Sequence, residues 1–122
     1  RIALLGAVDT GTLDTLYDRA DTLVLASHYE GFGMVLTEAM ARGLAIVCTV
    51  GGAAAETVPA GAALKVDPPG DARVLAWELG RAIENPKTRQ AVADAAWEAA
   101  QQLPRWEETA ATIAGVIKGL RP

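Results

Sequence analysis

The sequence is poor in the residues that most reaction centres and metal sites use. Cys48 is its only cysteine and His28 its only histidine. A single cysteine excludes an intrachain disulfide and fits a reducing, cytoplasmic setting. One His and one Cys, far apart in the chain, do not make a ligand set, so no metal is expected. Aromatic residues are 5% of the chain, so the core must come from small aliphatic side chains and closely packed elements. No basic run is present and the net charge is −4, which argues against nucleic acid or an anionic membrane as the main partner. No apolar stretch approaches the roughly 20 residues of a membrane span, and no signal-peptide pattern is seen. The chain opens at Arg1 straight into an apolar run, without an initiator methionine. This reads as a piece of a longer protein.

What is present is a 122-residue chain that is 51% hydrophobic, taken here as one partial domain over residues 1–122. Ile2 to Gly6 reads as a buried strand. Thr10 to Arg19 reads as a helix with Leu13, Leu16 and Tyr17 on one face. Thr22 to Ala26, Leu44 to Thr49 and Ala63 to Val66 read as further strands, the last at an edge. Met34 to Arg42 is a helix closed by Gly43, and Ala53 to Val58 is a short helical turn. Asp71 is the natural N-cap of the next helix. From about residue 72 the chain reads as helical, with breaks at Asn85-Pro86 and Pro104 and a last helix over Trp106 to Gly119. Strands alternating with helices predict an α/β, Rossmann-like three-layer sandwich around a short parallel sheet of about four strands. Ligands of such sheets bind outside the carboxyl ends of the strands.

Two glycine loops fall at those ends. In Ser27-His28-Tyr29-Glu30-Gly31-Phe32-Gly33-Met34, a strand gives way to a helix whose first amides lack intrahelical partners. With the glycines removing bulk, the amides of Phe32, Gly33 and Met34 suit a diphosphate. Glu30 before the helix and Glu38 within it suit a polyhydroxylated ligand such as a sugar. Ser27, Gly51 and Gly52 are further candidates. Each residue alone has a plainer reading: a turn for the glycines, a solvated charge for Glu30, and a surface partner of Arg42 at i+4 for Glu38.

The segment Glu30-Gly31-Phe32-Gly33-Met34-Val35-Leu36-Thr37-Glu38 resembles the E-x7-E signature of the retaining glycosyltransferases of family 4, also called glycosyl transferases group 1, which have the GT-B fold. Leu16 to Asp21 resembles the "LY-x-x-AD" helix before that signature, and Gly43 to Val47 resembles the "G-x-PVV" strand after it, with Ala45 in place of proline. Pro68 to Asp71 resembles the "PPGD" turn, and Arg105-Trp106-Glu107 the "SW" start of the closing helix. The resemblance implies the latter part of a C-terminal, donor-binding domain. It implies a nucleoside-diphosphate sugar as donor substrate, with no other cofactor. It implies that Glu38 binds ribose hydroxyls, that Gly31 to Met34 contact sugar and diphosphate, and that Glu30, often called catalytic, lies by the donor sugar. The acceptor would be held by an N-terminal domain that this chain lacks, and the full enzyme could associate peripherally with the inner membrane face. The family's Arg and Lys that neutralise the diphosphate have no match here. Gly51-Gly52-Ala53-Ala54-Ala55-Glu56 is one residue longer than the family's Gly-Gly-x-x-Glu, so Glu56 reads as a helix-terminus charge. His28 has no assigned role. A non-catalytic nucleotide- or sugar-binding module, or a degenerate structural fragment of the same fold, is the alternative.

The family sheet runs 3-2-1-4-5-6, and this chain resembles strands 3 to 6. The first strand is therefore expected to dock beside the strand from Thr22, or two chains are expected to pair or swap.

Overall fold

A computed structural model describes residues 2–120. Its centre is β2 (Ala45–Thr49), whose five residues are all buried. β1 (Thr22–Leu25) and β3 (Leu64–Val66) lie on either side of β2, both parallel to it. Thr22 registers with Ala45 and Leu25 with Cys48, while Val47 registers with Leu64 and Thr49 with Val66. Alternation along β2 sends Ile46 and Cys48 into one cluster and Ala45 and Val47 into the other. That is why the strand reads as a continuous apolar run rather than an alternating one.

The first cluster contains Leu36 and Met40 of α2 (Met34–Ala41), Ala54 of α3 (Ala54–Thr57) and Val58. The second contains Leu64 and Val66 of β3 and Ala82 of α4 (Ala72–Glu84). The next helix, α5 (Pro86–Ala100), adds Ala96 to the first cluster and Val92 and Ala93 to the second. Small residues therefore let one helix serve both layers. The caps follow local chemistry. The Asp71 carboxylate accepts from the Arg73 and Val74 amides at 2.8 and 3.1 Å. Asn85 ends α4 and caps α5, and Gly43 follows α2 with φ +66°, a conformation that glycine adopts at little cost.

Two helices are held more loosely. Of α1 (Thr10–Arg19) only Tyr17 is buried, and α6 (Trp106–Gly119) buries none of its residues. Among the described residues no helix is long and apolar enough to cross a membrane.

One expectation fails. The run from Ile2 to Gly6 forms no strand, and the sheet has three strands rather than about four. Ile2 and Leu4 are 93% and 95% exposed, so the run does not dock beside β1. A strand is stable only when a neighbour takes its backbone groups. In the sheet order that the resemblance implies, two other strands stand between this run and β1, and among the described residues no strand pairs with it.

Candidate functional site

The chain between β1 and α2 turns out of the sheet at Ala26 and is fastened at several points. The Thr49 hydroxyl, at the end of β2, donates to the Ser27 carbonyl. Glu30 forms an isolated parallel bridge with Gly52: its amide donates to the Gly51 carbonyl at 3.2 Å, and its carbonyl accepts from the Ala53 amide at 2.8 Å. The Thr57 hydroxyl of α3 donates to the Phe32 carbonyl at 2.8 Å. The two glycine loops are thus one unit. Gly51 and Gly52 are what allow it. A Cβ on Gly51 would stand 2.0 Å from the His28 carbonyl oxygen, and one on Gly52 would stand 2.3 Å from that of Glu30. Gly52 also has φ +65°. Only residues without a Cβ permit this approach of two backbones.

Gly33 is the N-cap of α2 at φ +78°, and no side chain caps the helix. Its carbonyl accepts from the Leu36 amide at 2.8 Å. The amides at the start of α2 have no side-chain acceptor, beside a loop fastened by hydrogen bonds to Thr49, Gly51, Ala53 and Thr57. Gly31 differs from the other loop glycines. Its φ is not positive, and a Cβ there would meet nothing within 4 Å. The fold itself makes no demand for glycine at 31. Phe32 and Met34 are exposed and Glu30 is half-buried. Ser27, by contrast, is engaged through its carbonyl, as a support of the loop.

Glu38 lies one turn further into α2 and is exposed. It does not pair with Arg42. Its Oε2 accepts from the Tyr17 hydroxyl of α1 at 2.9 Å. Arg42 instead turns to α1, where its guanidinium donates to Asp18 at 3.0 Å and to Asp14, and stands 4.9 Å over the Tyr17 ring. Burial, together with the hydrogen bond and charge of Glu38, pushes the Tyr17 phenol up to about 12, against the opposing charge of Arg42. Tyr17 is therefore a donor at neutral pH.

The remaining candidates fall elsewhere. His28 lies against the turn before α4: a Cβ on Gly70 would be 2.5 Å from its Cε1. Together with Thr49, Val66 and Asp71 it lines a cavity of about 220 Å³ at the carboxyl ends of the strands. Glu56 is exposed in the first turn of α3, where a carboxylate favours the helix dipole. Cys48 is fully buried and its thiol is pushed up by that burial, which makes it a core residue rather than a nucleophile. Among the described residues no group of three or more His, Cys, Asp and Glu is placed to hold a metal ion.

Thr49, Thr57 and the Tyr17 hydroxyl were not expected from sequence as parts of this unit. Tyr17 belongs to the "LY-x-x-AD" segment but reads there only as one residue of an apolar face. No local pattern points to the two threonines, since their partners lie 22 and 25 residues away.

The family described as glycosyl transferases group 1 matches residues 1–99. The chain is 32% identical over 107 residues to the MMP alpha-(1->4)-mannosyltransferase of Mycolicibacterium hassiacum, covering 87% of this chain and 26% of that protein. It is 34% identical over 112 residues to the glycogen synthase of Mycobacterium tuberculosis, covering 92% of this chain and 27% of that one. Among solved structures, the sucrose-phosphate synthase of Thermosynechococcus elongatus superposes with a TM-score of 0.86 at 32% identity, over 98% of this chain and 30% of that chain. Anabaena HepE, solved in complex with UDP, gives 0.76 at 28% identity, over 86% of this chain and 29% of that chain. The chain thus spans about a quarter of the length of these curated relatives, and its three-stranded parallel sheet and helices match part of a GT-B, Rossmann-like fold. The chain belongs to the glycosyl transferases group 1 family of glycosyltransferases.

Proposed function

We propose that this chain supplies the donor-binding wall of a retaining glycosyltransferase. The enzyme would move a sugar from a nucleoside-diphosphate sugar to an acceptor held by a domain outside this chain. The observation that carries the reading is the loop unit from Ser27 to Gly33. It is locked to Gly51 and Gly52, ends in the uncapped start of α2, and includes a glycine at 31 for which the packing gives no reason. Amides held in place without a side-chain acceptor suit a diphosphate, because they bind negative charge without reorganising. A glycine at 31 suits close approach of a ligand to the backbone. Glu38 takes the ribose hydroxyls and Glu30 lies by the sugar. Gly31, Phe32, Gly33 and Met34 give the backbone contacts. HepE is a relative of this fold that binds UDP, which supports a nucleotide as the ligand class. The buried, unpaired Cys48 fits a cytoplasmic enzyme.

Calorimetry of the chain with UDP, GDP and ADP tests the binding half. Saturable heat with one of them is expected, and none with any would overturn the reading. For the full-length enzyme, NMR of the product is expected to show the donor's anomeric configuration kept, whereas inversion would refute the retaining mechanism. Binding without transfer would leave a nucleotide-binding module.

A further inference from the structure

We propose that Tyr17 is a positioning residue: its hydroxyl orients the Glu38 carboxylate for the ribose diol and does so without neutralising it. The inference deepens the donor-binding reading and rests on it.

On an α-helix, a glutamate followed four residues later by an arginine is placed to pair with it. Glu38 and Arg42 have that spacing, yet the structure separates them. Asp14 and Asp18, one turn apart on α1, take the Arg42 guanidinium. The guanidinium lies over the face of the Tyr17 ring, 4.9 Å from its centre, where a cation is attracted by the ring's negative face. The edge of the same ring carries the hydroxyl that donates to Glu38 Oε2 at 2.9 Å.

The consequence for Glu38 is chemical. A salt bridge would occupy both carboxylate oxygens with a forked, charged donor. A phenol occupies one lone pair, leaves the charge in place, and restrains the carboxylate at one oxygen. The hydrogen bonds of the described residues engage Oε2 and none reaches Oε1. A cis-diol needs two acceptor positions at a fixed orientation, and an anchored but still anionic carboxylate offers them. Tyr17 is buried, so its ring has little freedom and its hydroxyl is aimed by packing.

The test is calorimetry of the chain with UDP, GDP and ADP, and with the 2′,3′-dideoxy analogue of whichever binds best. Tyr17→Phe keeps the ring and removes the donor. It is expected to weaken the ribonucleotide roughly five- to tenfold and the dideoxy analogue less than about twofold. Glu38→Ala is expected to weaken the ribonucleotide more, and adding Tyr17→Phe to it to change nothing further. Equal losses for both ligands with Tyr17→Phe, or no loss for either, overturn the positioning role while leaving the donor site standing. If Glu38→Ala fails to discriminate the two ligands, or no nucleotide binds, the donor-site reading falls and this inference with it. Should Tyr17→Phe not fold, the exposed double substitution Asp14→Asn with Asp18→Asn takes its place. It frees Arg42 for Glu38 and is expected to erode the preference for the ribonucleotide; an unchanged preference overturns the proposal.

Discussion

Leu36 and Leu13 are the same residue type, one on α2 and the other on α1, yet their surroundings have little in common. Leu36 is fully buried between α2 and β2, while Leu13 on α1 is 41% exposed. The difference follows from the sheet. β2 has a strand on each side and helices on both faces, so whatever packs on it is enclosed. The chain before β1 has no strand beside it, and α1 is attached through Tyr17 and the two aspartates that hold Arg42. The glycine loops rise from the enclosed part, and the Glu38 support comes from the loosely attached one. The candidate site thus joins a frame held by burial to a clamp held by one buried ring, Tyr17, together with hydrogen bonds and charge.

Leu36→Ala is expected to cost about 3–4 kcal/mol, the range for a fully enclosed leucine whose cavity cannot collapse. Leu13→Ala should cost about 1 kcal/mol or less. Denaturant unfolding reads both, and similar losses would erase the distinction between the two regions. Next come the glycines. Gly51→Ala is expected to cost about 3 kcal/mol, because the atom it strikes is a backbone carbonyl that the loop cannot move cheaply. Gly31→Ala should change stability by less than about 0.5 kcal/mol while weakening nucleotide binding. Unaltered binding there would remove the proposed close approach of ligand to backbone.

The clamp is open to a pH test. The Tyr17 phenol is raised from 10.0 to about 12 in the folded chain, so folding favours its neutral form. Its contribution is fully present below about pH 10, the unfolded value, and is lost as pH rises through about 12. Relative to Tyr17→Phe, the wild-type chain is expected to lose about 1–2 kcal/mol more between those limits, less than the full shift would give because solvent near the hydroxyl screens the charge. Parallel pH profiles would show that the phenol titrates as if free. The smallest effect belongs to the exposed run at the start. Ile2→Ser with Leu4→Ser should alter stability by less than about 0.5 kcal/mol. A larger, concentration-dependent loss would instead mean that this run swaps into a second chain.

Much of the fold was legible because its signals are local. The β2 run, the Asp71 cap, the Asn85-Pro86 break and Gly43 after α2 each state their role within a few residues. The first expected strand, Ile2 to Gly6, misled because an apolar run ending in glycine specifies a strand only when a neighbour is available, and sequence does not supply the neighbour. The E-x7-E segment and both glycine loops could be read as a group, and the fold does unite the loops. The reason for Gly51 and Gly52 could not be read, since it lies in carbonyls of His28 and Glu30 across the loop. Nor could the partner of Glu38. Helical spacing points to Arg42, whereas α1 competes for that arginine and returns a tyrosine instead.

The proposed function assigns the nucleotide to Glu38, in contrast to Glu56, which lies exposed in the first turn of its own short helix. The most direct measurement is the calorimetric affinity of the chain for its best nucleoside diphosphate after Glu38→Ala and after Glu56→Ala. A loss of roughly tenfold or more is expected for Glu38→Ala and of less than about twofold for Glu56→Ala. Equal losses, or a larger loss for Glu56→Ala, would contradict the assignment.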